Sequence, residues 1–147
     1  MNPDTTRLIA LLRELSYKKG RVVLSSGKES DFYVDGKQTL LNPHGATLVG
    51  RLVLELIRKD GSDIVGVGGM TMGADPIATA TSVLSTMDDG PALPAFYVRK
   101  EAKGHGTQAY LEGLNNFPDR GRVVVVEDTS TTGGSAWKAV ERTRAAG

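Results

Sequence analysis

The chain has 147 residues with Lys+Arg 18 against Asp+Glu 17, the size of one ordinary domain. A net charge of +1 leaves no global basic field for a nucleic-acid backbone, so no nucleic-acid partner is expected and a charged ligand must be met by a local cluster. Without cysteine there is no disulfide, thiolate nucleophile or cysteine-type zinc site, and no apolar run is long enough for a membrane span or signal core; the expectation is a soluble cytoplasmic protein with no membrane partner.

From Asp4 onward, Leu8, Ile9, Leu11, Leu12 and Leu15 recur at helical spacing, with Asp4 as the cap and Gly20 as the stop behind the basic Lys18 and Lys19. Val22, Val23 and Leu24 read as a strand, Ser25 to Lys28 as a polar turn, and the stretch around Phe32, Tyr33 and Val34 as a returning strand; the pair forms a hairpin. Asn42 caps a helix with Pro43 at its first position, and Leu48, Val49, Leu52, Val53, Leu56 and Ile57 carry its apolar face to a stop at Lys59-Asp60-Gly61.

Beyond that point short apolar runs alternate with turns and helices, as in a parallel sheet with crossover helices, so the fold class is α/β. Ile64 to Val67 is the first strand. The turn Gly68 to Ala74 leads to Asp75-Pro76, read as a cap with proline behind it, and to a helix through Ile77, Ala78, Ala80, Val83 and Leu84. Ala95 to Val98 is the second strand. Val123 to Val126 is the third, and four valines in a row predict a central strand buried on both sides. Thr129 to Ser135 then opens a last helix, with Trp137, Ala139 and Val140 on one side.

Three constellations carry chemistry. The strongest is Val123 to Ser135, where a buried strand delivers Glu127 and Asp128 into a loop of hydroxyls and glycines that enters a helix. Ligands of open α/β sheets bind where strands end and helices begin, because backbone N–H groups and the positive helix end collect there. Thr131, Thr132, Gly133, Gly134 and Ser135 suit a phosphate monoester, while the two carboxylates suit ribose hydroxyls, so the combination points to a sugar phosphate. A strand end with a helix cap would use similar residues, but two adjacent acids, three threonines and two glycines together favour the ligand. No lysine follows the glycines, which excludes a Walker A loop.

The second constellation is Arg99-Lys100-Glu101-Ala102-Lys103-Gly104-His105-Gly106, a basic loop suited to a lid over a polyphosphate, with His105 as a donor to an anionic oxygen. The third is the glycine-rich Gly66 to Asp75 turn, which lets backbone lie close beside a ligand. Phe32 and Tyr33 in the hairpin are candidates to stack on a flat ring, with Lys28 and Lys37 nearby, although a half-buried hairpin needs aromatics for packing in any case. His44, in a first helical turn, reads as structural or exposed.

The run Val-Val-Val-Val-Glu-Asp-Thr-Ser-Thr-Thr-Gly-Gly-Ser at 123–135 resembles the phosphoribosyl-diphosphate (PRPP) signature of type I phosphoribosyltransferases. The basic loop, with Ser26-Gly27-Lys28 and Gly73-Ala74-Asp75-Pro76-Ile77-Ala78, is similar to the orotate phosphoribosyltransferases within that family. The resemblance runs from about Leu8 to the last residue. It implies a type I phosphoribosyltransferase fold: a central, mostly parallel sheet with flanking helices, a helix-hairpin hood over 1–40, and a PRPP-binding core over 41–147 within one domain.

The resemblance further implies transfer of the 5-phosphoribosyl group from PRPP to orotate, giving orotidine 5′-monophosphate and diphosphate. Arg99, Lys100, Lys103 and His105 would contact the diphosphate, with Lys100 coming from the partner of a homodimer. Glu127 and Asp128 would hold the ribose hydroxyls, and Thr129, Ser130, Thr131, Thr132, Gly133, Gly134 and Ser135 the 5′-phosphate. Thr131, Phe32, Tyr33 and Lys28 would lie at the orotate, and Lys103, His105, Arg99, Lys100 and Asp128 form the catalytic set. Magnesium (Mg2+) would be carried by PRPP, with no dedicated protein ligands.

Ser25 and Gly73 stand where some members carry lysines. Arg142 to Gly147 reads as a last helical turn with a glycine cap, while the family continues into strands, one of which supplies an arginine for the orotate carboxylate; those strands are expected to be missing here. The alternatives are a phosphoribosyltransferase for a purine base and a non-catalytic regulatory module of the same fold.

Overall fold

A computed structural model describes residues 2–23, 27, 29–104 and 110–147. The first helix, α1 (Pro3–Leu11), is capped by Asn2, whose side-chain oxygen accepts from the Asp4 amide at 2.9 Å. Asp4, expected as the cap, therefore sits in the first turn. The helix passes into one π-helical turn, Leu12–Ser16, and the chain then becomes extended as β1 (Tyr17–Val23).

Lys18, Lys19 and Gly20 thus belong to a strand and not to a helix end. Tertiary pairing overrides the local signal: β1 runs antiparallel to β2 (Glu29–Val34), from Tyr17 opposite Val34 to Val23 opposite Glu29, with a register shift between Lys19 and Val22. The Asp35 amide donates to the Ser16 carbonyl at 3.0 Å and closes the base of this hairpin. A short α2 (Gly36–Leu40) follows, capped by Asp35.

The predicted Asn42–Pro43 start is borne out in α3 (Pro43–Asp60), with the Asn42 side chain accepting from His44 and Gly45 and Gly61 closing the helix at φ 67°. Beyond it lie β3 (Ile64–Met70), α4 (Asp75–Ser85), β4 (Ala95–Val98), a two-residue β5 (Leu111–Glu112), β6 (Arg122–Val125) and α5 (Gly134–Ala145). The sheet order is β5-β4-β3-β6, with β3 parallel to both β4 and β6 and β5 antiparallel to β4.

Helices cover both faces of this sheet. On one face Leu54 and Ile57 of α3 and Ala78 of α4 pack on Val67, together with Leu93; on the other, Ala139 of α5 joins Met70, Phe96, Val98 and Leu111. Among the described residues no helix is long and apolar enough to cross a membrane.

Three expectations are corrected. The four-valine strand β6 pairs with β3 alone among the described residues, so it forms one edge of the sheet and not its centre; its run is half-buried on both faces, with Val124 and Val126 against one core and Val123 and Val125 against the other. Ala74 takes the cap of α4; Asp75 is the first helical residue, and its side chain is engaged by Thr71. Trp137 is 58% exposed, since helical geometry turns it away from the side on which Ala139 is fully buried.

Candidate functional site

The parallel strands β3, β4 and β6 end on the same edge of the sheet. Met70 stands opposite Val98 and Gly68 opposite Val125, so the segments after the three strands emerge side by side. That edge is where this class of sheet binds ligands.

The chain leaves β6 with the Val126 amide still donating to the Gly68 carbonyl at 2.7 Å, which fixes Glu127 and Asp128 beside the turn after β3. Asp128 has only 8% of its side chain exposed, and its Oδ2 accepts from Lys37 Nζ at 3.0 Å. That hydrogen bond and the Asp128 charge hold Lys37 above its ordinary pKa against a smaller opposing effect of burial. Glu127 is also held above its ordinary value, first by burial and then by Asp128 beside it, with its Oε2 buried and unpartnered. The adjacent acids therefore differ: one is neutralised by a lysine, and the other is biased toward its protonated form.

Gly73 forms the wall against this pair. A Cβ at position 73 would lie 2.3 Å from Asp128 Oδ1 and 2.8 Å from Glu127 Oε1, so the close approach requires glycine. A lysine at position 73 would not fit here without moving the acids. In the same turn Thr71 donates from its amide to the Val98 carbonyl and from its hydroxyl to Asp75 Oδ2 at 2.6 Å, leaving Asp75 Oδ1 buried and unpartnered. The Thr71–Met72 peptide is cis.

Past the acids, Thr129 to Ala136 and Glu127 surround an open hollow of about 260 Å³. Gly133, at φ 76°, turns the chain into α5, whose first intrahelical bond runs from the Trp137 amide to the Gly133 carbonyl at 2.9 Å. The amides of Gly134, Ser135 and Ala136 precede that bond and have no acceptor within the helix. Hydroxyls, free amides and the positive helix end make this hollow a fit for a phosphate dianion.

The basic segment after β4 builds a second hollow. Arg99 and Lys100 line it with Thr71, Tyr97, Glu101 and Glu112. Arg99 Nη1 donates to Glu112 Oε1 at 2.9 Å, and its Nε is buried without a partner. Lys103 is exposed. His105 and Lys28 lie outside the described residues.

Phe32 and Tyr33 are both about half exposed, but strand alternation places them on opposite faces of β2. Phe32 stacks on Tyr17 with ring centroids 5.9 Å apart. Lys37 was legible as a cation beside the aromatics, but its bond to Asp128 spans 91 positions and has no local sequence signal. The contact of Gly73 with both acids was likewise missed.

No protein-family model matches the chain. An orotate phosphoribosyltransferase of Nostoc sp. is 54% identical over 141 residues, covering 96% of this chain and 66% of its own length. One of Bradyrhizobium sp. is 46% identical over 143 residues, covering 96% and 76%. Among solved structures, Mycobacterium tuberculosis orotate phosphoribosyltransferase in complex with Fe(III) dicitrate superposes with a TM-score of 0.81 at 46% identity, covering 99% of this chain and 78% of that one. The same enzyme in complex with PRPP gives 0.75 at 42% identity, covering 99% and 76%. The chain thus spans from 66% to 76% of the length of these curated relatives.

Proposed function

The chain belongs to the orotate phosphoribosyltransferase family, and on that premise we propose that it transfers the 5-phosphoribosyl group of PRPP to orotate, giving orotidine 5′-monophosphate and diphosphate. The observation that carries the proposal is the strand-to-helix turn after β6, where an acid pair adjoins a hollow lined by hydroxyls and free amides. Carboxylates and phosphate donors in that order match the ribose and 5′-phosphate of one ligand.

In the reaction, the bond from ribose C1 to the diphosphate oxygen breaks and its electron pair leaves with diphosphate. A ring nitrogen of orotate supplies the pair for the new bond and gives up its proton to the departing diphosphate, whose oxygens gain the negative charge. Positive charge develops on the ribose, beside Asp128 and Glu127. Negative charge develops on diphosphate, where Arg99, Lys100, Lys103 and His105 are assigned to meet it. Thr129 to Ser135 hold the 5′-phosphate, and Thr131, Tyr33, Phe32 and Lys28 are assigned to the base side.

Magnesium is assigned to PRPP. The acid pair fits that role, because Asp128 is engaged by Lys37 and only Glu127 has a free buried oxygen; the cation would be held chiefly by substrate oxygens with Glu127 beside it. When bound, it neutralises charge on the departing diphosphate. A homodimer in which Lys100 serves the neighbouring subunit, and a cytoplasmic setting, complete the proposal.

The test is diphosphate release from PRPP measured with orotate, adenine, guanine, uracil and no base. Release with orotate alone is expected. Release with a purine alone overturns the assignment, and PRPP binding without release for any base replaces it with a binding module.

A further inference from the structure

We propose that Arg142 is a positioning residue for the cations that open the basic loop, a proposal that rests on reading this loop as the diphosphate-binding segment. Arg142 lies on α5 and is partly buried. Its Nη1 donates to the Arg99 carbonyl and its Nη2 to the Lys100 carbonyl at 3.3 Å. Its guanidinium carbon sits 3.9 Å from the centre of the Tyr110 ring. Tyr110 is on the far side of the loop, and its carbonyl accepts from the Arg99 amide at 2.7 Å. One guanidinium therefore ties both stems of the loop.

The chemistry requires arginine. A planar guanidinium spreads N–H donors along its edge for two carbonyls while presenting its face to an aromatic ring; a lysine ammonium has neither the fork nor the face. Among the described residues no carboxylate lies within ion-pair distance of Arg142; besides the loop its guanidinium meets Met70 Sδ, 4.0 Å from Nη1.

The helix gives this clamp its functional meaning. The first turn of α5 carries the free amides of the phosphate hollow, and Arg142 is eight residues further along, roughly 12 Å at the helical rise. A single rigid element thus sets the separation between the groups assigned to the 5′-phosphate and those assigned to the diphosphate, the two charged ends of PRPP.

The experiment compares the parent with Arg142→Gln, Arg142→Lys and Tyr110→Leu by initial-rate kinetics, thermal melting and limited trypsin cleavage without substrates. Arg142→Gln is expected to lower kcat/KM for PRPP by between about 10- and 100-fold, the scale of an ångström-sized misplacement, with the KM for orotate within about twofold. Trypsin should cut faster after Lys100 and Lys103, while cutting after Arg21 and Lys59 stays unchanged. Arg142→Lys should restore little of either, and Tyr110→Leu should act in the same direction more weakly.

An unchanged kcat/KM for PRPP overturns the proposal, as does a rise of the same size in the KM for orotate accompanied by faster cleavage everywhere. If the parent chain has no orotate-dependent turnover, the functional reading fails by itself. Cleavage at Lys100 and Lys103 then still decides the clamp: an Arg142→Gln rate equal to the parent's overturns it.

Discussion

Gly73→Ala adds one carbon to the wall of the acid pair. Its Cβ would stand 2.3 Å from Asp128 Oδ1 and 2.8 Å from Glu127 Oε1. Non-bonded atoms rest roughly 3.5 Å apart, so the Asp128 carboxylate must retreat by about 1 Å. Glu127 has a longer side chain and can swing aside, but Asp128 is short, 8% exposed and bound to Lys37 at 3.0 Å, so Lys37 must move with it. Overpacking of this kind costs about 1–3 kcal/mol, and the fewer unfolded conformations of alanine return about 0.4–1 kcal/mol.

A net loss of about 1–2 kcal/mol lowers Tm by about 2–8 °C in a chain of this length. The loss in rate should exceed the loss in stability. A 1 Å misplacement of the groups assigned to the ribose is expected to lower kcat/KM for PRPP by about 100-fold, or about 2.7 kcal/mol. Orotate consumption at saturating orotate and varied PRPP, measured well below the variant's Tm, reads that number. A kcat/KM within about threefold of the parent would refute the requirement that the acid pair hold this position.

Two further substitutions test other parts of the structure. Burial and Asp128 raise the Glu127 pKa, so the native state binds that proton more tightly than the unfolded chain does; the stability this contributes is full below the ordinary glutamate range and is lost as pH rises through the raised value. Glu127→Gln removes that titration, and in thermal melts from about pH 4 to 8 its Tm relative to the parent should climb across that interval; a difference independent of pH contradicts the assignment. Ser16 and Thr39 are fully buried with their hydroxyl oxygens 2.6 Å apart, so Ser16→Ala should cost about 0.5–1.5 kcal/mol in urea unfolding by leaving the Thr39 hydroxyl only its 3.5 Å bond to the Leu11 carbonyl. Ser16→Ala/Thr39→Val should cost less than the two single changes summed, and strict additivity would show that the hydroxyls do not depend on each other.

The parts of this fold legible in the sequence are those whose cause is local. Asn42, Pro43 and Gly61 bound α3 because cap, first-turn proline and left-handed stop act within a few residues of themselves. The loop from Glu127 to Ser135 was legible for the same reason, its hydroxyls, glycines and helix entry being contiguous. Features with distant causes were not legible. Lys18 to Gly20 looks like a helix end until β2 claims it as a strand, and four valines read as a central strand although β6 has one strand neighbour among the described residues. The Lys37–Asp128 pair and the pressure of Gly73 on both acids exist only once the hairpin, the β3 turn and the β6 end have come together.

The strand order also sets a timetable for synthesis. Val67 at the middle of the sheet pairs with Ala95 on one side and Val124 on the other, and both partners are translated after it. At about 5–20 residues per second, β3 waits about 1–6 seconds for β4 and about 3–11 seconds for β6. During that interval α1, the β1–β2 hairpin and α3 have all been made, whereas β3 has two unpaired edges until β4 arrives and one until β6 does. The emerging chain is therefore most exposed to wrong strand pairing in the stretch between residue 70 and residue 122, and a pause in translation there would lengthen the exposure of the strand from which the whole site is hung.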